Sequence, residues 1–312
     1  MSEESKARND AEPGGWRDAL AALRPDQWTK NLLVLAALGF AWGDRARPDH
    51  VATAGTVLAV ALAALVFCAL SSAVYILNDL LDIEADRAHP LKRLRPIAAG
   101  RLAIPRARLM AGLLLLAAAA VSCAWLPRPF LGVAALYVAI QALYSACLKR
   151  AALTDLVVIA GGFVLRAMAG AFAARVDISP WLLLCTFFLA LFLAAGKRRH
   201  EKAALADGSA QQRPSLEKYS LDLLDRLVSI TAAVTIVAYA MYTLAPETVL
   251  KFGTHAMGFT LPFVVFGVFR YLDLLYRHAK GDQPEKVLLT DIPLLINILL
   301  YAGTVWVIFL FS

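Results

Sequence analysis

Residues 51–86 read VATAGTVLAVALAALVFCALSSAVYILNDLLDIEAD. An apolar run, 51–77, long enough to cross a bilayer passes without a break into a segment holding three aspartates. Continued as a helix at about 100° per residue, Asp79, Asp82 and Asp86 fall within an arc of about 60°. Glu84 points nearly opposite, and Asn78 flanks the three. Like charges on one helical face destabilise it unless a cation lies among them. Hard oxygen donors suit Mg²⁺, which keeps several waters and bridges one or two carboxylates to substrate phosphates. The spacing therefore points to a metal-bound diphosphate; the plain alternative is a solvated acidic helix end.

Cations follow at once in RAHPLKRLRPIAAG, residues 87–100. Arg87, Lys92, Arg93 and Arg95 supply guanidinium and ammonium groups for a multiply charged phosphate. The same residues could serve only to keep this loop on the cytoplasmic side. Pro90 and Pro96 interrupt a continuous helix, so the spacing predicts a shaped loop over a cavity.

Outward from this stretch, the 312-residue chain is 60% hydrophobic with a formal charge of +7. That composition excludes a large soluble catalytic domain. Apolar runs fall near 31–43, 51–77, 107–126, 129–147, 153–174, 179–196, 227–245, 257–276 and 288–311, predicting an all-α polytopic membrane protein with nine spans. Arg108 and Arg270 stand at span ends and count with the adjoining loops. Segments on the N-terminal side then carry 25 of the 31 Lys and Arg, and those on the other side carry 5. The asymmetry alternates at every crossing, which predicts a cytoplasmic N-terminus and an outside C-terminus in the plasma (cell inner) membrane. The basic balance thus reflects orientation, and nucleic-acid binding gains no support from it. No secretory signal is expected in the acidic, polar start. Residues 1–30 form a cytoplasmic segment and 31–312 one transmembrane domain. Within residues 1–30, Trp16, Leu20 and Leu23 recur as an amphipathic helix on the inner leaflet. Two long cytoplasmic loops, 78–106 and 197–226, are where the site is expected.

With its N-D-x-x-D-x-x-x-D pattern on Asn78, Asp79, Asp82 and Asp86, the sequence resembles the UbiA superfamily of intramembrane prenyltransferases. RPDQWTKN (24–31), DRAHPLKRLRPIAAG (86–100), FVLRAMAG (163–170), GKRRHE (196–201) and SLEKY (215–219) are similar to its branch acting on decaprenyl phosphate as a phosphoribosyltransferase. The superfamily resemblance implies nine helices around a central cavity open to the cytoplasm, with Mg²⁺ and a diphosphate. The branch implies transfer of 5-phosphoribose from phosphoribosyl diphosphate (PRPP) to a polyprenyl phosphate, giving a precursor of arabinose donors. Asp79, Asp82 and Asp86 would hold the metal, with Asn78 beside them. The superfamily's second aspartate repeat is weak here: Asp222 and Asp225 stand three apart, while the preceding residues offer Lys197, Arg198, Arg199, Glu201 and Lys202. A cation-rich loop suits a donor carrying a second phosphate.

A long polyprenyl tail gains about 0.8 kcal/mol per buried methylene and stays in the bilayer, whereas the charged donor stays in water. The reaction belongs at the interface. The five histidines form no catalytic constellation, and a dianionic acceptor phosphate needs no strong base. Arg166 lies within a span, where a central charge costs roughly 2.5–3.5 kcal/mol on insertion scales. It is expected to face inward toward a substrate phosphate or an aspartate, or else to cap helix carbonyls. Tyr144, Lys149, Lys30 and Tyr219 complete the substrate-binding candidates. Tyr144 and Lys149 read equally as an interfacial aromatic and a positive loop, and Trp28 and Lys30 as anchors. The four cysteines lie in apolar runs as packing residues. Two other readings stand beside the phosphoribosyltransferase: an aromatic prenyltransferase of quinone biosynthesis, favoured by a full second aspartate repeat, and a transporter. A homo-oligomer is also open.

Overall fold

The computed structural model describes residues 15–43, 53–148, 151–206, 216, 218–277, 287 and 290–311, the Phe40 side chain excepted. In chain order the α-helices are α1 Trp16–Leu23, α2 Ala36–Trp42, α3 Ala54–Leu81, α4 Ile83–Ala88, α5 Ile104–Trp125, α6 Arg128–Ala146, α7 Thr154–Ala174, α8 Pro180–Ala206, α9 Leu221–Leu244, α10 Pro246–Phe252, α11 Leu261–Arg277 and α12 Ile292–Phe311. Among the described residues, eight helices are long and apolar enough to cross a membrane. The spans expected from 51 onward all appear. Their outward leucines, such as Leu65, Leu109 and Leu116, stay exposed, which suits a lipid-facing surface rather than water. Short connections alternate the helix directions, so Asp79, the 82–103 segment, the start of α7 and the end of α8 share one end of the bundle.

The span expected at 31–43 takes another form. Pro25–Leu35 is a 3-10 helix that continues into α2. At about 2.0 Å per 3-10 residue and 1.5 Å per α residue, the two reach about 32 Å, the depth of a bilayer core. Three residues per turn align Trp28, Asn31 and Val34 in one stripe. Trp28 Nε1 donates to Ser72 Oγ at 3.0 Å, Asn31 Nδ2 donates to Ser71 Oγ at 3.2 Å, and Val34 is fully buried. Gly170 on α7 makes the approach possible, since a Cβ there would overlap the Val34 carbonyl. A 3.6-residue period had no reason to mark this stripe.

The core around the segment joins α3, α6 and α7 through Phe67, Phe130, Tyr137 and Ala169. A second core gathers Phe192, Leu224, Val228, Tyr271 and Leu274 from α8, α9 and α11. Ser220 caps α9 by accepting the Leu223 N–H at 3.1 Å, the kind of side-chain cap that completes an orphan donor.

Candidate active site

The expected single acidic face is interrupted. Helix α3 continues past 77 to Leu81, and Asp82, at φ −103° and ψ 14°, separates it from α4. The break replaces a row of repelling carboxylates by a cluster with cationic partners. Asp79 and Asp86 are both buried at 3% exposure. Arg95 Nη1 donates to Asp79 Oδ1 at 3.0 Å and to Asp86 Oδ2 at 2.6 Å. Asp82 stays half-buried at the break. Arg24 Nη2 adds a second bond to Asp79 Oδ1, at 2.5 Å.

Arg24 went unrecognised as a site residue in the sequence, although it opens RPDQWTKN. Its backbone holds φ 53°, a left-handed conformation that side chains other than glycine adopt at a cost. The ion pair with Asp79 and a place 5.0 Å from the Tyr75 ring centre hold it there. Amphipathic α1 is present, with Trp16 and Leu20 exposed. Asp18 accepts from Arg101 Nε at 2.8 Å, and the Leu23 carbonyl accepts from Ser72 Oγ at 2.8 Å, so this segment is tied onto the rim.

The shaped loop after α4 is also present, with a short 3-10 turn at Lys92–Leu94. His89 Nδ1 accepts the Leu91 and Lys92 N–H groups at 3.2 and 3.3 Å, which requires that nitrogen to carry no proton. Arg87 donates to the Ala98 carbonyl and to Glu84. Lys92 is half-buried and Arg93 exposed. Asn78 is half-buried on the last turn of α3, its main-chain carbonyl accepting the Asp82 N–H at 3.0 Å.

The second-loop candidates gather around a residue the sequence reading passed over. Asp155, at 1% exposure, accepts Arg198 Nε at 2.9 Å and Tyr219 Oη at 2.6 Å. Arg198 Nη1 also donates to Glu201 at 2.7 Å. Tyr219 Oη accepts the Leu153 N–H at 2.6 Å, holding a non-glycine residue at φ 68°. Burial, and then the hydrogen bond to Asp155, push the Tyr219 phenol well above its ordinary range. An acid at the start of an apolar run was the available signal, since such a residue needs a partner. Nearby, Asp225 accepts from Arg199 Nε at 3.0 Å and from Tyr276 Oη at 2.8 Å. Lys197 and Tyr144 are half-buried, Lys30 Nζ donates to Gln27 at 2.6 Å, and Lys149 lies outside the described residues.

Arg166 faces inward as expected, at 5% exposure, but its partners are neutral. It donates to Asn31 Oδ1 at 2.8 Å, the Gly162 carbonyl at 2.9 Å and Tyr137 Oη at 3.0 Å. The aspartate alternative is therefore replaced by a junction between the 3-10 segment, α6 and α7. Three fixed acceptors supply what lipid cannot.

Among the described residues no three acidic, histidine or cysteine side chains converge as a metal site. The fit of Mg²⁺ rests on a pair. Two carboxylate oxygens, from Asp79 and Asp86, already face a single cationic atom, Arg95 Nη1. Such a hard, two-carboxylate set leaves the remaining positions of the ion to water and substrate phosphates, so the residues fit.

Fold and rim together define an all-helical, multi-pass membrane protein with its Asp79–Asp86 and Asp155 clusters at one end of the bundle. The UbiA prenyltransferase family model matches residues 32–300, and the chain belongs to that family. It is 36% identical, over 100% of its length and 98% of the relative's, to a decaprenyl-phosphate phosphoribosyltransferase of Mycolicibacterium smegmatis. It is 34% identical, over 91% of each chain, to the protein of that name from Mycobacterium tuberculosis. Among solved structures, a UbiA homolog from Archaeoglobus fulgidus bound to GPP and Mg²⁺ superposes with a TM-score of 0.69 at 19% identity, covering 94% of this chain and 99% of that one.

Proposed function

We propose that the protein transfers 5-phosphoribose from PRPP to a polyprenyl phosphate, with Mg²⁺, giving polyprenyl-phosphoryl-5-phosphoribose and diphosphate. The observation that carries this reading is the end-to-end likeness to the mycobacterial phosphoribosyltransferases. The rim chemistry agrees with it. Arg24 and Arg95 contact Asp79 and Asp86, Arg87, Lys92 and Arg93 follow on the same short segment, and the second loop offers Lys197 and Arg199 rather than a full aspartate repeat. A donor with phosphates at both ends of its ribose needs such groups in two places. The Lys and Arg asymmetry supports an N-in, C-out orientation in the plasma membrane, with the rim facing the cytoplasm.

In the reaction the bond between the ribose anomeric carbon and diphosphate breaks, its electron pair leaving with diphosphate. A polyprenyl-phosphate oxygen forms the new bond to that carbon. Asp79 and Asp86, with Asp82 beside them, would hold Mg²⁺, which offsets the negative charge growing on diphosphate. Arg95 and Arg24 then shift from carboxylates to donor phosphates, because guanidinium forks pair well with either anion. The acceptor, with a second pKa near 6 as in other phosphate monoesters, is mostly dianionic at neutral pH, so no side chain need remove a proton. The product is a precursor of arabinose donors.

The deciding assay combines purified protein, Mg²⁺, labelled PRPP and a polyprenyl phosphate, followed by organic extraction. Label is expected in the organic phase. Label retained in water, together with product from geranyl diphosphate and hydroxybenzoate, would establish an aromatic prenyltransferase instead.

A further inference from the structure

A cavity of about 540 Å³ opens at the end of the bundle opposite the carboxylates, within the roughly 300–1,000 Å³ of small-molecule sites. Ala171, in its wall, stands 16 residues beyond Asp155 on α7, or about 24 Å along the helix. It is therefore remote from the reacting groups. Leu33, Ala37, Ala171, Val176 and Leu182 give it an apolar lining.

Two features distinguish it from a packing gap. Ser179 and Thr248 belong to its wall, and both hydroxyls are buried without a hydrogen-bond partner. A buried polar group left in that state weighs against the fold until something completes it. Lys251, Asp177 and Glu247 also border the cavity, with Lys251 Nζ donating to the Asp177 carbonyl at 3.1 Å. The occupant must then bring an apolar body, hydrogen-bonding oxygens and a head group suited to one ammonium and two carboxylates.

Depth selects among membrane amphiphiles. Ser179 immediately precedes α8, and Thr248 lies in α10 just after α9 ends. Both stand where spans give way to the interface, the level of a glycerophospholipid's ester carbonyls. A polyprenyl phosphate carries no carbonyl between phosphate and hydrocarbon. We propose that the cavity binds one phosphatidylethanolamine from the leaflet opposite the carboxylate rim. An acyl chain fills the apolar lining, ester carbonyls accept from Ser179 and Thr248, and phosphate and ammonium meet Lys251 and the carboxylates. This site is independent of the phosphoribosyl-transfer reading.

The test is native mass spectrometry of the detergent-purified full chain titrated with phosphatidylethanolamine, its ether-linked analogue, phosphatidylglycerol and polyprenyl phosphate. One phosphatidylethanolamine is expected per chain. The ether analogue should bind about tenfold more weakly, as two lost hydrogen bonds imply, and phosphatidylglycerol more weakly than phosphatidylethanolamine. The S179A/T248V variant should lose the ester preference while retaining turnover. Equal binding of ester and ether lipids overturns the proposal, and that comparison on unmodified protein stands even where the variant fails to fold. Stoichiometric displacement by polyprenyl phosphate also overturns it, assigning the cavity to that lipid instead.

Discussion

The two charged clusters at the rim use the same residue types under different constraints. Around Asp79 and Asp86, the arginines are only partly covered, with side-chain exposures of 23% for Arg24 and 26% for Arg95. Around Asp155, Arg198 is 8% exposed and Asp155 1%, and both are locked between helices. In the proposed reaction the first arrangement would exchange its partners for a metal and phosphates. The second is closed off from water and ties α7, α8 and Tyr219 together. The two clusters thus differ in how replaceable their partners are, and the proposed chemistry belongs to the more accessible one.

The sharpest way to break this contrast is Asp155→Ala. It strips one partner from a buried guanidinium, an uncompensated charge that costs about 3–5 kcal/mol, at the low end here because Glu201 remains. Thermal unfolding in detergent should show a large loss of stability, with activity falling alongside it. An Asp155→Ala protein that kept its melting temperature would move this cluster into the replaceable class.

Asp79→Ala should do the reverse. Removing a group that supports the leaving charge costs roughly 10²–10³ in turnover, while Arg24 and Arg95 keep access to water when released. Label transfer into the organic phase is the measurement, with the melting temperature as its control. Turnover near the unaltered rate would remove the metal-site assignment. A smaller effect, about 10–100-fold in KM for PRPP, is expected for Arg95→Ala, as for loss of one charge-assisted hydrogen bond. An unchanged KM with lowered stability would make Arg95 a strut like Arg198.

Much of this contrast was legible in the sequence, for reasons that residues make plain. Hydropathy and charge alternation found the spans from 51 onward, because lipid leaves a backbone few options. The Asp79, Asp82 and Asp86 spacing located the rim, but an unbroken helical wheel had no place for the turn at Asp82. The 3-10 stripe of Trp28, Asn31 and Val34 was invisible to a search at 3.6 residues per turn. Asp155 is silent in a topology pattern that Lys and Arg alone define, and Arg24 reads as part of that pattern. Arg166 faces inward as its charge within a span requires, yet two of its acceptors, Asn31 and Tyr137, come from distant segments whose contact only the fold creates.

The smallest test is Tyr219→Phe, which keeps the ring and removes one oxygen. That oxygen donates to Asp155 and accepts from Leu153, so its loss should cost about 2 kcal/mol, roughly 1 kcal/mol for each of two net hydrogen bonds. Its pH dependence separates this cluster from the exchangeable one. Burial and the Asp155 bond raise the folded-state pKa of the phenol, so folding favours the protonated form. The resulting stability is complete below the ordinary phenol pKa of about 10 and declines as pH rises toward the folded-state value. In Tyr219→Phe the decline of melting temperature above about pH 10 should be shallower than in the unaltered protein. Matching alkaline slopes would show that the phenol is not held protonated, and Asp155 would then lose its claim to a closed, purely structural network.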